Sequence, residues 1–206
     1  MSPETLPPAA PVSAQTPAHK ERLTKPQKLM RLLGGVLDPR AWAHLLKIVN
    51  YYNYTHVQPL RKVTRGPGVN ISPTAAFSNP ERIEIGARVN IGAGCVIWAG
   101  PSSGRIRIGD DVLFGPEVML TAASYRYEDG HPVTQQAMDE ADIEIGRDVW
   151  IGTRAVILPG ARIGDGAIIG AHAVVRGEVP AMGIAVGSPA RVVSSRKMNP
   201  DAAPLD

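Results

Sequence analysis

The stretch between Leu120 and Ile145, TAASYRYEDGHPVTQQAMDEAD, carries the side chains best suited to chemistry. His131 lies within it, close to Glu128 and Asp129. An imidazole with an ordinary pKa near 6.5 can take or give a proton around neutrality, and either carboxylate could orient it. The plainer reading of His131 is a solvated loop residue before Pro132. His172 sits between two alanines and reads as an outward residue of a regular element, while His56 has no motif around it. Three imidazoles converging on zinc would need a His-rich segment or a close His pair. The sequence offers neither, so no metal ligands are expected. Cys95 is the single cysteine; it reads as a buried small apolar residue, and no disulfide can form within the chain.

The elements that must position these residues follow a fixed step. Ile145, Ile151, Ile157, Ile163, Ile169 and Val175 recur every six residues. Four positions after each comes a small or β-branched residue, and Gly146, Gly152, Gly164 and Gly170 follow directly on four of them. Neither a helix period nor strand alternation produces this, and a short fixed period means stacked identical units. Six residues make one short strand and one bend. Three such units per turn would place every eighteenth residue above its equivalent, with aliphatic side chains stacked inside and backbone hydrogen bonds between turns about 4.8 Å apart. Glycine at the bend allows positive φ or close backbone approach.

Residues 1–26 are rich in Pro, Ala and Ser and read as a disordered lead-in. Residues 27–58 form a helical segment, weak at first because Gly34 and Gly35 interrupt it. Asp38 and Pro39 then start a better helix as N-cap and first residue, and Trp42, Leu45, Leu46 and Val49 share one face. The repeat occupies residues 69–193. Its frame shifts by two residues between Ile83 and Ile85, again across Trp98–Arg107, and most of all between Leu120 and Ile145. Extra residues inside a strand would flip its side chains, so they must leave at bends as loops. Residues 194–206 read as a solvated tail.

The run IGRDVWIGTRAVILPGARIGDGAIIGAHAVVRGEVP, followed by GSPARVV, resembles the hexapeptide-repeat acyltransferases, in particular the maltose, galactoside and polysaccharide O-acetyltransferase branch. The resemblance implies an all-β fold, a left-handed parallel β-helix with a short N-terminal helical segment. It further implies a homotrimer that binds acetyl-CoA in the groove between adjacent coils. Carried over by position, Trp150, Thr153 and Ala171 line the pantetheine track and Arg191 approaches the nucleotide. The family's basic residue after the paired valines is displaced here, leaving Arg176 to meet a phosphate. Gly130-His131-Pro132-Val133 reproduces the motif that holds the family's catalytic base. By count from Leu120, however, the base position falls on Tyr125. A phenol, with an ordinary pKa near 10, is a poor base at neutral pH.

The expected activity is acetyl-CoA-dependent O-acetylation of a sugar or saccharide acceptor. Acetylation of an amino sugar, and a binding trimer that has lost its base, remain open alternatives. With 22 Lys and Arg against 19 Asp and Glu, the charge gives no reason to expect a nucleic-acid partner. Residues 20–65 concentrate basic side chains, which read first as a solvated face and alternatively as suiting an anionic surface or lipid-linked substrate; the apolar face of Trp42, Leu45, Leu46 and Val49 reads first as packing on the coil end or a neighbouring subunit and alternatively as docking on a membrane surface. No signal peptide opens the chain and no apolar run reaches membrane-spanning length. The expected location is therefore cytoplasmic.

Overall fold

A computed structural model describes residues 23–197. Most of the expected lead-in, and the tail beyond residue 197, lie outside the described residues. The chain divides into two units, residues 1–45 and 46–206.

In the first unit, helix α1 spans Lys25–Leu37 and runs straight through Gly34 and Gly35, where an interruption was expected. Each glycine lowers helix propensity by only about 1 kcal/mol. At its start, Gln27 Oε1 accepts from the Thr24 N–H at 2.8 Å, and Pro26 needs no hydrogen-bond partner for its nitrogen. Helix α2, Pro39–Tyr52, starts in this unit and ends in the second, and it begins as its sequence predicts: Asp38 Oδ1 accepts from the Arg40 N–H at 2.9 Å. The Trp42 indole N–H donates to the Val36 carbonyl at 2.7 Å, which ties α2 back to α1.

In the second unit, a π-turn (Asn53–Val57) and a short 3-10 turn (Pro59–Arg61) lead into a parallel coil with three faces. The first face stacks strands beginning with Thr64–Arg65, Ile83–Ile85 and Ile106–Ile108, then Ile143–Ile145, Arg162–Ile163 and Glu178–Val179. The second runs from Asn70–Ile71 through Trp150–Ile151 and Ile168–Ile169 to Gly183–Val186. The third runs from Ala76–Ser78 through Met119–Thr121 and Val156–Ile157 to Val174–Val175. Ile145 pairs with Ile163, Ile151 with Ile169 and Ile157 with Val175, which is the eighteen-residue superposition the hexads predict. Ile97, Leu120, Ile151, Ile157 and Ile169 are fully enclosed, and the small corner residues Cys95, Ala155, Ala161, Ala167 and Ala173 are equally buried. Burial pushes the Cys95 thiol pKa up, consistent with an inert packing residue.

The glycines after the aliphatic residues serve close approach. A Cβ on Gly152 would stand 2.6 Å from the Ala171 nitrogen, and one on Gly146 2.7 Å from the Asp165 nitrogen. Positive φ falls two residues further on, at Arg88, Asp111, Asp148, Arg154 and His172 among others. Several of these corner residues are paired outside the coil, as in Arg88 with Asp111 and Arg154 with Glu117. The last turn does not end in a loose tail at residue 194. Strand Arg191–Ser195 folds back antiparallel on Gly183–Val186, and Arg196 reaches the Asp148 carboxylate at 2.8 Å.

Candidate active site

Every insertion leaves the coil at one corner, the bend from the third face to the first. Residues 79–82, 99–105 and 122–142 emerge there in successive turns, while the following two turns make the same bend with only 158–161 and 176–177. The longest insertion opens as an antiparallel hairpin, Ala123–Tyr125 against Met138–Glu140. Between it and the plain bends lies a cleft of about 830 Å³, lined among others by Tyr125, Tyr127, Asp129, Glu140, Leu158 and Arg176.

Two features hold the hairpin in place. Arg126 Nε donates to Asp139 Oδ1 at 2.6 Å across its strands. More unusually, the Glu140 carboxylate receives the backbone N–H groups of Ser102, Ser103 and Gly104, the last two at 2.6 Å, together with both serine hydroxyls. The Gly104 N–H is the strongest of these influences, followed by the Ser102 hydroxyl, and together they hold the carboxyl down to about 2. Glu140 thus ties the two largest insertions together, a role nothing in the hexad pattern marks. The only signal in the sequence is a carboxylate at the end of one insertion and a Ser-Ser-Gly bend in another.

His131 lies at the outer part of the loop, its side chain 71% exposed. Its N–H donates to Asp129 Oδ1 at 2.9 Å, and its Nδ1 lies 3.3 Å from the same oxygen. Gln136, buried beneath, donates from Nε2 to the His131 carbonyl at 2.6 Å. Asp129 lines the cleft, and Glu128 also borders it without an ion pair to His131. Tyr125 is the last residue of the hairpin's first strand, paired with Met138, and is 43% exposed and lines the cleft.

The residues expected along the cofactor divide between two corners. Thr153 and Ala171 occupy the bend from the second face to the third in consecutive turns, joined by the His172 N–H donating to the Thr153 carbonyl at 2.9 Å. Trp150 stands on the outer side of the second face, 52% exposed. Residues 187–190 continue this edge, since the Val174 N–H donates to the Gly187 carbonyl and the Ala190 N–H to the Val174 carbonyl. Arg191 follows at once, with its guanidinium on the Ala190 carbonyl at 2.9 Å. Arg176 is the exception, lying at the other corner within the cleft. His172 is an exposed corner residue of the coil, and His56 Nδ1 meets the Ala75 carbonyl at 2.7 Å. Among the described residues no cluster of His, Cys, Asp and Glu is arranged to hold a metal ion.

The family model for bacterial transferase hexapeptide repeats matches residues 142–177. The Mycobacterium tuberculosis protein named "Probable acetyltransferase Rv3034c" is 34% identical over 71% of this chain, and the chain spans only 54% of that relative's length. The galactoside O-acetyltransferase of Escherichia coli is 31% identical, over 69% of this chain and 72% of its own. A solved galactoside acetyltransferase in complex with coenzyme A superposes with a TM-score of 0.61 at 28% identity, covering 71% of this chain and 76% of that one. Repeat, three-faced coil and relatives agree: the chain belongs to the hexapeptide-repeat acyltransferases, on the galactoside O-acetyltransferase branch, and its coil is their left-handed parallel β-helix.

Proposed function

We propose that the protein transfers the acetyl group of acetyl-CoA to a hydroxyl of a saccharide acceptor, with His131 as general base. The observation that carries this reading is the contact between Asp129 and His131 on a loop that borders a cleft. With the Nδ1–H donating a hydrogen bond to the Asp129 carboxylate, the unprotonated Nε2 is left to accept the acceptor's hydroxyl proton. The freed oxygen attacks the thioester carbonyl, the tetrahedral adduct collapses with loss of the CoA thiolate, and the imidazolium returns its proton to that sulfur. Thr153 and Ala171 form an edge of small residues, with Trp150 on the adjoining face, suited to a thin amide-bearing arm, and Arg191 and Arg176 are cations suited to phosphate.

The two corners of one coil face different directions. The reading therefore includes a homotrimer, in which the His131 loop of one copy meets the Thr153 and Ala171 edge of the next. The relatives named for galactoside, and the one solved with coenzyme A, support the choice of donor and acceptor class.

Release of CoA thiol from acetyl-CoA, measured against a panel of saccharides, is the direct test. His131→Ala should lower turnover about a hundredfold to ten-thousandfold, the range typical for losing a general base, with acetyl-CoA affinity unchanged. Tyr125 is the rival because it lines the cleft at the position counted from Leu120. Tyr125→Phe should have a much smaller effect. Turnover that survives His131→Ala and collapses in Tyr125→Phe would overturn the assignment.

A further inference from the structure

Neither α1 nor α2 buries a single residue, yet both are sharply two-sided. On α1, Leu29, Met30, Leu33 and Val36 share one arc, while Lys28 and Arg31 lie on the other. On α2, Trp42, Leu45, Leu46 and Val49 form the apolar arc, and Arg40 and Lys47 stand opposite. Exposure on these apolar arcs is high, 68% at Met30 and 69% at Leu46. A groove of about 540 Å³ runs along Leu32, Val36, Trp42 and Leu45 and is lined as well by the cations Lys28 and Arg31. Both helices lack any Asp or Glu, and the single acid between them, Asp38, is engaged as the α2 N-cap.

We propose that the α1 and α2 segment docks on an anionic lipid surface, its apolar arcs sunk to the acyl boundary and its cations among the headgroups. A second copy of the chain could cover apolar side chains equally well. It would, however, bring the same cations together with no acid to meet them, whereas anionic headgroups complement them. Thirteen and fourteen residues are too few to cross a bilayer, and no described helix is long and apolar enough to do so. The segment therefore lies on the surface. This inference does not depend on the proposed acetyl transfer.

The test is co-sedimentation of the full chain with vesicles of phosphatidylcholine alone and of phosphatidylcholine with about one third phosphatidylglycerol, in low and high salt. Wild type should sediment with the mixed vesicles in low salt, and binding should fall at least about tenfold in high salt, on neutral vesicles and in Lys28→Glu/Arg31→Glu. Leu46→Glu should weaken it similarly, while the thermal transition of the coil stays that of wild type in both variants. Equal recovery in the supernatant with and without anionic vesicles would overturn the proposal. So would self-association in light scattering that Leu46→Glu abolishes without any vesicle binding.

Discussion

The same corner of the coil behaves in two ways. In the turns from Ile145 to Val179 it closes in a few residues, and the side chains that flank it are shut inside: Ile157 and Ala161 are wholly buried. One turn earlier it lets out residues 122–142, whose Tyr127 is 73% and Val133 46% exposed. The plain bends are held by aliphatic side chains with an equivalent above and below. The long loop has no apolar stack and is held by charge-assisted hydrogen bonds, at Glu140 and between Arg126 and Asp139. The coil and the loop thus draw on different forces within one turn's height of each other.

The largest test of that contrast is Ile157→Asp. An unpaired carboxylate enclosed in the stack should prevent folding, whereas Tyr127→Asp on the loop should leave the circular dichroism and thermal transition unchanged. Next comes Ala171→Trp. Its side chain should point outward onto the edge proposed for the pantetheine arm, so calorimetry should show acetyl-CoA affinity lost while the fold persists; unchanged affinity would remove Ala171 from that edge.

Smaller effects separate two glycines. Gly152→Ala would press a Cβ against backbone of the next turn and should destabilise the whole coil by about 1 to 3 kcal/mol. Gly130 has φ +84° with nothing within 4 Å of its Cβ position, so Gly130→Ala should strain only the loop and leave the coil's denaturation midpoint in place.

The smallest effect is a local one in acid. The Glu140 carboxyl titrates near about 2 in the fold against an ordinary 4.5, so its contribution is complete above about pH 4.5 and disappears as pH falls through about 2. Hydrogen exchange should show the Ser103 and Gly104 amides losing protection across that window while those of Gly152 and Gly170 keep it. Glu140→Gln should remove this pH dependence.

The coil was legible because burial repeats by translation. Once Ile145, Ile151 and Ile157 set the step, Ile163, Ile169 and Val175 had to lie above them, and the slips at Ile83, Trp98 and Leu120 marked where loops depart. Contacts that join residues far apart in the chain left no such trace. Glu140 meets residues 102–104, which precede it by a full turn of three coil strands and most of an insertion, and no periodicity relates them. The glycine function was half legible: the sequence allowed either positive φ or close approach, and only the contact of Gly152 with the turn above decides between them. Helix α1 runs through Gly34 and Gly35, against their propensity, because propensity weighs residues singly, whereas the helix is secured at its start by Thr24, Pro26 and Gln27. His131 carries a motif but the count selects Tyr125, and the structure brings the former to Asp129 and the latter to the cleft.

A coil of this kind is by nature unfinished, for its terminal rung offers a row of unpaired N–H and C=O groups on which another rung could grow. Strand Arg191–Ser195 reverses direction and takes the second-face edge at Gly183–Val186 for itself. With its five residues all exposed on their outer side and arginine at its head, it makes a poor template for further addition. The reversal therefore covers the second-face edge of the last rung, and another rung cannot pair directly with Gly183–Val186.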